Sequence, residues 1–161
     1  MWFFLNEEEN ELTGYKKKNK VLYCTFLGDV NCIVISKTKA RKLTKNHTIE
    51  DRDEKKRIEN IGGVIYDEKI YGQENLTRAF GMFNLKQYGI TCIPETVKIT
   101  LNPLDRYIII GTKGVFESLT DGDFHSICNN TESTEIIIQN IVKNCINRFT
   151  RENLGIIAIK L

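Results

Sequence analysis
The chain has 161 residues, with 23 Lys and Arg against 21 Asp and Glu, for a net charge of +2. That length suits one domain, residues 1–161, with a buried core. The near-balanced charge gives no electrostatic footprint for nucleic acid, and no apolar run approaches the length of a membrane span. Neither partner is expected.

Trp2 to Leu5 is too short for a signal-peptide core, and Glu7 to Glu9 follow it directly. It reads as a strand, followed by a polar, loop-like stretch from Asn6 to Asn19. Within that stretch Lys16-Lys17-Lys18 reads as a solvated run. Val21 to Leu27 is a strand, Gly28-Asp29 a turn, and Val30 to Ser36 the returning strand of a hairpin. Lys37 to His47 is basic connecting chain. Glu50 to Asn60 is strongly charged, with Asp51/Lys55 and Asp53/Arg57 four residues apart, and reads as an exposed helix. Ile58 and Ile61 should anchor its end, and Gly62-Gly63 should stop it.

Val64 to Tyr66 and Lys69 to Tyr71 make a short hairpin around Asp67-Glu68. Gly72 to Gly89 is irregular, with a helical turn expected at Leu76 to Phe80. Glu95 to Leu101 alternates as a half-buried strand. Tyr107 to Ile110 is apolar and β-branched, as a buried strand would be. It breaks at Gly111 and Gly114 and runs into a helix through Val115, Phe116 and Leu119. Such a turn places side chains at a strand's carboxyl end, a common place for chemistry, though a plain connection is the commoner reading. The side chain there is Lys113. Asp121-Gly122 is a break, and Asp123 to Cys128 a short helix. Ser133 to Arg148 is the longest helix, with a stripe of Ile137, Ile138, Ile141, Cys145 and Ile146. Ile156 to Leu161 is a closing strand. This order describes an α+β chain with mainly antiparallel pairing and the long helix across one sheet face. The five cysteines, Cys24, Cys32, Cys92, Cys128 and Cys145, have no zinc-ligand spacing and read as reduced, mostly buried thiols of a cytoplasmic protein. His47 and His125 have no catalytic partner at recognisable spacing, so both read as surface or packing residues.

Several local signals recur in a fixed order: Leu27-Gly28-Asp29, Leu43 to His47, Arg57 to Gly63, Leu76-Thr77-Arg78-Ala79-Phe80-Gly81, Ile93-Pro94-Glu95, Ile110 to Glu117, and Arg151 to Gly155. In this order and spacing they resemble the metal-dependent Ser/Thr protein phosphatases of the 2C family (PPM-type). The Thr-Arg-Ala-Phe-Gly run is the most specific piece. The resemblance covers about Leu22 to Leu161. It implies an antiparallel β-sandwich with flanking helices, here lacking the family's N-terminal part. It also implies a carboxylate cluster holding two Mg²⁺ or Mn²⁺ ions, whose shared water attacks phosphorus.

Carried over residue by residue, the resemblance makes Asp29, Glu117 and Glu152 the residual metal positions. The family's Asp after the central strand is Lys113 here, and a protonated ammonium cannot ligate a divalent cation and repels it. Glu152 keeps its carboxylate but is one methylene longer than the family's Asp. The Asp that closes the Arg-Ala-Phe-Gly motif is Met82. Arg78 matches, with an expected packing role. The family's phosphate-binding Arg and its Asp-Gly-His/Tyr-Gly-Gly motif are not found.

Three readings follow. One is a degenerate phosphatase-like domain, a pseudophosphatase acting as a binding or scaffold module without turnover. Another is a working Mg²⁺- or Mn²⁺-dependent protein phosphatase whose missing ligands come from a preceding segment or another chain. The last is an unrelated α+β domain. An ion pair from Lys113 to Glu117 or Glu152 is expected in place of the ion. A sandwich without its first strands leaves apolar surface and an edge open, so a homo-oligomer or a protein partner is expected, a phosphoprotein among the candidates. A monomer at high micromolar concentration would contradict that.

Overall fold
The computed structural model describes residues 1–10 and 17–161. Its elements run β1 (Trp2–Asn10), β2 (Lys17–Phe26), β3 (Asn31–Ser36), β4 (Ala40–Lys42), α1 (Arg52–Asn60), β5 (Ile65–Tyr66) and β6 (Lys69–Ile70). There follow α2 (Phe83–Lys86), β7 (Glu95–Thr100), β8 (Asp105–Gly111), α3 (Lys113–Ser118), α4 (Asp121–Asn129), α5 (Thr134–Asn147) and β9 (Ile156–Lys160). They group into two compact units, Met1–Thr25 with Val30–Thr44 and Thr96–Leu161, and Phe26–Asp29 with Lys45–Glu95.

The first unit is built on β8. Tyr107 to Gly111 are all buried, so both faces of the strand are covered. Water is excluded from its edges too, because β3 and β9 pair with it antiparallel on either side, in the order β4-β3-β8-β9. One face, with Ile33, Ile35, Tyr107 and Ile109, packs on α4 and α5 through Phe124, Cys128, Ile137, Ile141 and Cys145. The long helix therefore crosses one sheet face, as its apolar stripe requires. On the opposite face of β3, Cys32 is buried, and its thiol meets that of Cys24 on β2. The second sheet, β1-β2-β7, faces the first at that point. The architecture is the α+β, antiparallel type expected, with helices on its flank.

Helix ends follow local chemistry. Thr120 and Asp123 form a reciprocal capping box at the start of α4. Arg148 then grips Asp123 with two bonds of 2.8 and 2.9 Å. The Arg148 and Thr120 donors hold the Asp123 carboxyl at about 2.

Several boundaries differ from expectation. The polar stretch after Leu5 is strand up to Asn10, and strand resumes at Lys17; Glu11 to Lys16 lie outside the described residues. β2 and β3 do not pair, so Gly28-Asp29 passes between sheets instead of closing a hairpin. The basic chain after Ser36 contains β4, because Ser36 Oγ accepts the Thr38 and Lys39 amides and turns the chain back on β3. Asp121-Gly122 opens α4 where a break was expected, because Thr120 is its cap. The helical turn falls at α2 and not at Leu76 to Phe80.

In the second unit, Asp67 and Glu68 both have φ of 52°, the paired left-handed turn that favours a two-residue hairpin between β5 and β6. Asp51 caps α1 by accepting the Asp53 and Glu54 amides, and its ion partner is Lys45, not Lys55. Ile58 is fully buried, whereas Ile61 is exposed.

The core of this unit contains a charge. Glu54, 2% exposed, accepts bonds from Arg57 (2.9 Å), Thr77 (2.7 Å) and Arg78 (2.5 Å). Arg57 also donates to the Gly89 and Thr77 carbonyls, and Arg78 to that of Ile93. One carboxylate thus ties α1 to the irregular chain from Thr77 to Ile93. Burial opposes its ionisation, but the Arg78, Arg57 and Thr77 donors outweigh burial and hold the carboxyl far below its ordinary range. A depressed carboxyl stabilises the fold above the unfolded-state pKa of about 4.3, and that contribution is lost as pH falls through the folded value. Glu54→Ala leaves two half-buried guanidinium groups without their carboxylate and should cost about 3 kcal/mol, the low end for breaking a buried pair. Urea denaturation measures this, and a loss below about 1 kcal/mol, the scale of an exposed pair, would contradict the assignment.

Candidate functional site
The turn after β8 is shaped by its neighbour loop. Thr112 precedes α3 in extended conformation but does not cap the helix with its side chain. Its Oγ1 instead donates to the Asn153 carbonyl at 2.8 Å and accepts the Gly155 amide at 3.1 Å. The Thr112 amide donates to the Gly155 carbonyl at 3.0 Å. The two segments lie so close that a Cβ on Gly114 would stand 2.6 Å from Glu152 Cβ and 3.0 Å from the Asn153 carbonyl oxygen. Only glycine permits that approach. The turn that carries Lys113 and the loop that carries Glu152 are therefore held together by Thr112, across about forty positions of chain.

The Lys113 ammonium lies 3.7 Å from Glu117 Oε1, one helical turn along α3. Both side chains are largely exposed, 39% and 54%, so the pair adds little to stability. Its effect is on local charge, since one of the carboxylates of the motif already has a cation beside it. Glu152 is exposed and makes no ion pair among the described residues. The expected pairing of Lys113 is thus found at Glu117.

Asp29 belongs to the second unit. Its turn is held from behind by His47, which is fully buried. The Gly28 amide donates to His47 Nδ1 at 3.1 Å, and the His47 amide donates to the Gly28 carbonyl at 2.9 Å. Nδ1 is thus an acceptor, and Nε2 carries the proton toward Glu95 Oε2 at 3.4 Å. The ring stacks on Phe26 at 5.0 Å. Burial, and then the Arg78 charge, push the His47 pKa down, so the ring is neutral and structural. Of the two roles expected for it, packing is the one found. Its partners lie 19 and 48 positions away, and no local spacing in the sequence announces them. Arg78 takes its expected packing role, on Glu54. Met82 has φ 51° and ψ 42°, a left-handed conformation that Asp tolerates better than an unbranched apolar side chain.

Mg²⁺ and Mn²⁺ take oxygen ligands that converge on the ion. Among the described residues no group of three or more His, Cys, Asp or Glu side chains is arranged to hold a metal ion. The side chain at the central turn is a cation. The described residues do not fit a two-ion carboxylate site.

A family model described as protein phosphatase 2C matches residues 12–154. A probable protein phosphatase 2C 2 of Paramecium tetraurelia is 30% identical over 118 residues, which are 68% of this chain and 39% of that protein. The human integrin-linked kinase-associated serine/threonine phosphatase 2C is 30% identical over 108 residues, 63% of this chain and 28% of that one. Among solved structures, a phosphatase of Toxoplasma gondii matches with a TM-score of 0.73 and 25% identity, over 88% of this chain and 44% of its own. A C. elegans sex determining protein shares the fold with a TM-score of 0.76 at 23% identity, over 87% of this chain and 36% of its own. The chain spans about two fifths of the length of the Paramecium relatives it matches.

The close approach at Gly114 can be tested alone. Gly114→Ala should destabilise the chain by about 1–3 kcal/mol, the range for overpacking, as measured by thermal or urea unfolding. A neutral or stabilising outcome would mean that the loop carrying Glu152 does not sit against this turn.

Proposed function
The chain belongs to the protein phosphatase 2C family, and on that premise we propose that it is a phosphatase-like domain with a degenerate metal site that works as a binding or scaffold module. One observation carries the reading. At the turn where the family sets a ligand carboxylate stands Lys113, with its ammonium on Glu117. A cation there lowers the attraction for a divalent ion twice, by repelling it and by partly neutralising a neighbouring ligand. Losing a ligand of a two-ion site removes the clamp on both the attacking and the leaving oxygen, which costs orders of magnitude in rate.

On this reading the partner is a protein, a phosphoprotein or a second copy of the chain. The four apolar side chains Trp2 to Leu5 on the terminal strand of the three-stranded sheet, each more than 40% exposed, support it. No helix among the described residues is long and apolar enough to cross a membrane. The five cysteines are free, in keeping with the cytoplasmic location proposed. A second reading, an active Mg²⁺- or Mn²⁺-dependent Ser/Thr phosphatase, is favoured by the short span alone, since the relatives carry more chain than is matched here. Its missing ligands would come from outside the residues 1–161.

Calorimetric titration of Mn²⁺ and Mg²⁺ into wild type and Lys113→Asp, with hydrolysis of an aryl phosphate followed in the same samples, separates the two. The degenerate reading expects no metal heat and no turnover from wild type, and a gain of metal affinity in Lys113→Asp. Binding of two ions with hydrolysis by wild type would contradict it and support the second reading.

A further inference from the structure
At the far end of β8 from Lys113, the β3–β4 turn and the turn before Asp105 enclose a cavity of about 160 Å³. Asp105 and Gly111 are the two ends of the strand, so this cavity lies about 20 Å from the turn after β8, at about 3.3 Å per residue. Ser36, Thr38, Lys39, Arg41, Asn102 and Asp105 line it. From the charges of this lining we propose that it binds a tetrahedral phosphate-type dianion, such as a phosphate monoester. The proposal does not depend on whether the opposite end of the strand holds metal.

Three observations carry it. First, the donors exceed the acceptors. Arg41 meets Asp105 through a single Nη2–Oδ2 contact at 3.4 Å, and its side chain is 41% exposed. The remaining Nη donors of a guanidinium at a cavity wall are what an oxyanion would satisfy. Second, the carboxylate is already engaged. Asp105, whose side chain is only 6% exposed, accepts the Asn102 amide at 2.8 Å with the same Oδ2, so it is fixed to the wall and less able to close over the cations. Third, the cations are held on a shaped turn. Ser36 Oγ accepts the Thr38 and Lys39 amides and donates to the Lys39 carbonyl, and Lys39 and Arg41, on either side of Ala40, both line the cavity. No Asp or Glu occurs from Val30 to Ile49, whereas Lys37, Lys39, Arg41, Lys42 and Lys45 do. Of these only Lys39 and Arg41 line the cavity; Lys45 pairs with Asp51 and Glu95, and Lys42 lies over the Phe116 ring. A phosphate offers three acceptor oxygens to the guanidinium, the Lys39 ammonium and the Thr38 hydroxyl.

The test is a titration of the full chain, followed by the backbone amide NMR shifts of Ser36 to Arg41 and Asn102 to Asp105, with three probes: inorganic phosphate, a phosphoserine peptide, and the same peptide unphosphorylated. The phosphorylated probe and inorganic phosphate should shift these amides, and the unphosphorylated peptide should not. Tighter binding of the peptide assigns the pocket to a phosphoprotein, and equal affinities assign it to the free anion. Arg41→Gln should weaken binding by at least about tenfold, the loss expected for a charge-assisted bond. Asp105→Asn, which keeps the oxygen that accepts the Asn102 amide, should tighten binding severalfold by removing the competing charge. A variant that merely damaged the turn would weaken it instead. Lys39→Gln, at an exposed position, serves as the second loss-of-charge variant should Arg41→Gln fail to fold. Unshifted amides at saturating phosphate, an Arg41→Gln or Lys39→Gln chain that binds like wild type, or weaker binding by Asp105→Asn would each overturn the proposal.

Discussion
A strand with no water on either face and a partner at each edge has almost no freedom in where it ends. β8 is such a strand: Tyr107 to Gly111 are buried, β3 and β9 flank them, and helices cover one face. Burying an apolar side chain of this size is worth about 1.5–3 kcal/mol, and a one-residue slip would turn every side chain to the wrong face. The register is therefore fixed, and the positions of Thr112, Lys113 and Gly114 are fixed with it. The loop from Glu152 to Gly155 precedes β9, the other neighbour of β8, and is drawn in by three hydrogen bonds to Thr112. The approach of the loop carrying Glu152 to the turn carrying Lys113 is thus a result of core packing rather than of attraction among charges.

That ordering separates the frame from the chemistry at the turn. The Lys113–Glu117 pair is exposed and nearly neutral for stability, so the frame does not depend on what stands at the turn. The chemistry does depend on it, because a two-ion centre needs carboxylates where this chain has an ammonium. The second unit divides the same way. His47 and the Glu54 network fasten the Gly28-Asp29 turn and the chain around Arg78 with buried polar bonds. These keep the family's scaffold whether or not an ion is held.

Much of the fold was legible from pattern. The apolar run before Gly111, the alternation of Glu95 to Leu101 and the stripe of Ile137, Ile141 and Cys145 each carry their own period, and each became the element it reads as. What was not legible depends on partners distant in sequence. Glu54 sits in a helix that looks wholly solvated, and two of the three donors that make its burial tolerable, Thr77 and Arg78, lie more than twenty positions away. β2 and β3 look like a hairpin because adjacency is readable and sheet membership is not. The Ile146 end of the α5 stripe is 60% exposed, because it lies one position past Cys145 and off the four-residue spacing of Ile137, Ile141 and Cys145. At the candidate site, the motif order marked Lys113, Glu117 and Glu152, but the contact between Gly114 and Glu152 exists only in three dimensions.

On the proposed reading the Lys113 ammonium keeps a divalent ion from the turn after β8. The decisive measurement adds Mn²⁺ to the labelled chain and reads which backbone amides its unpaired electrons broaden. Exclusion by Lys113 gives no selective broadening at Gly114, Glu117 or Glu152 in wild type, and broadening at these three amides in Lys113→Asp. Selective broadening there in wild type would show an ion seated beside Lys113 and overturn that reading.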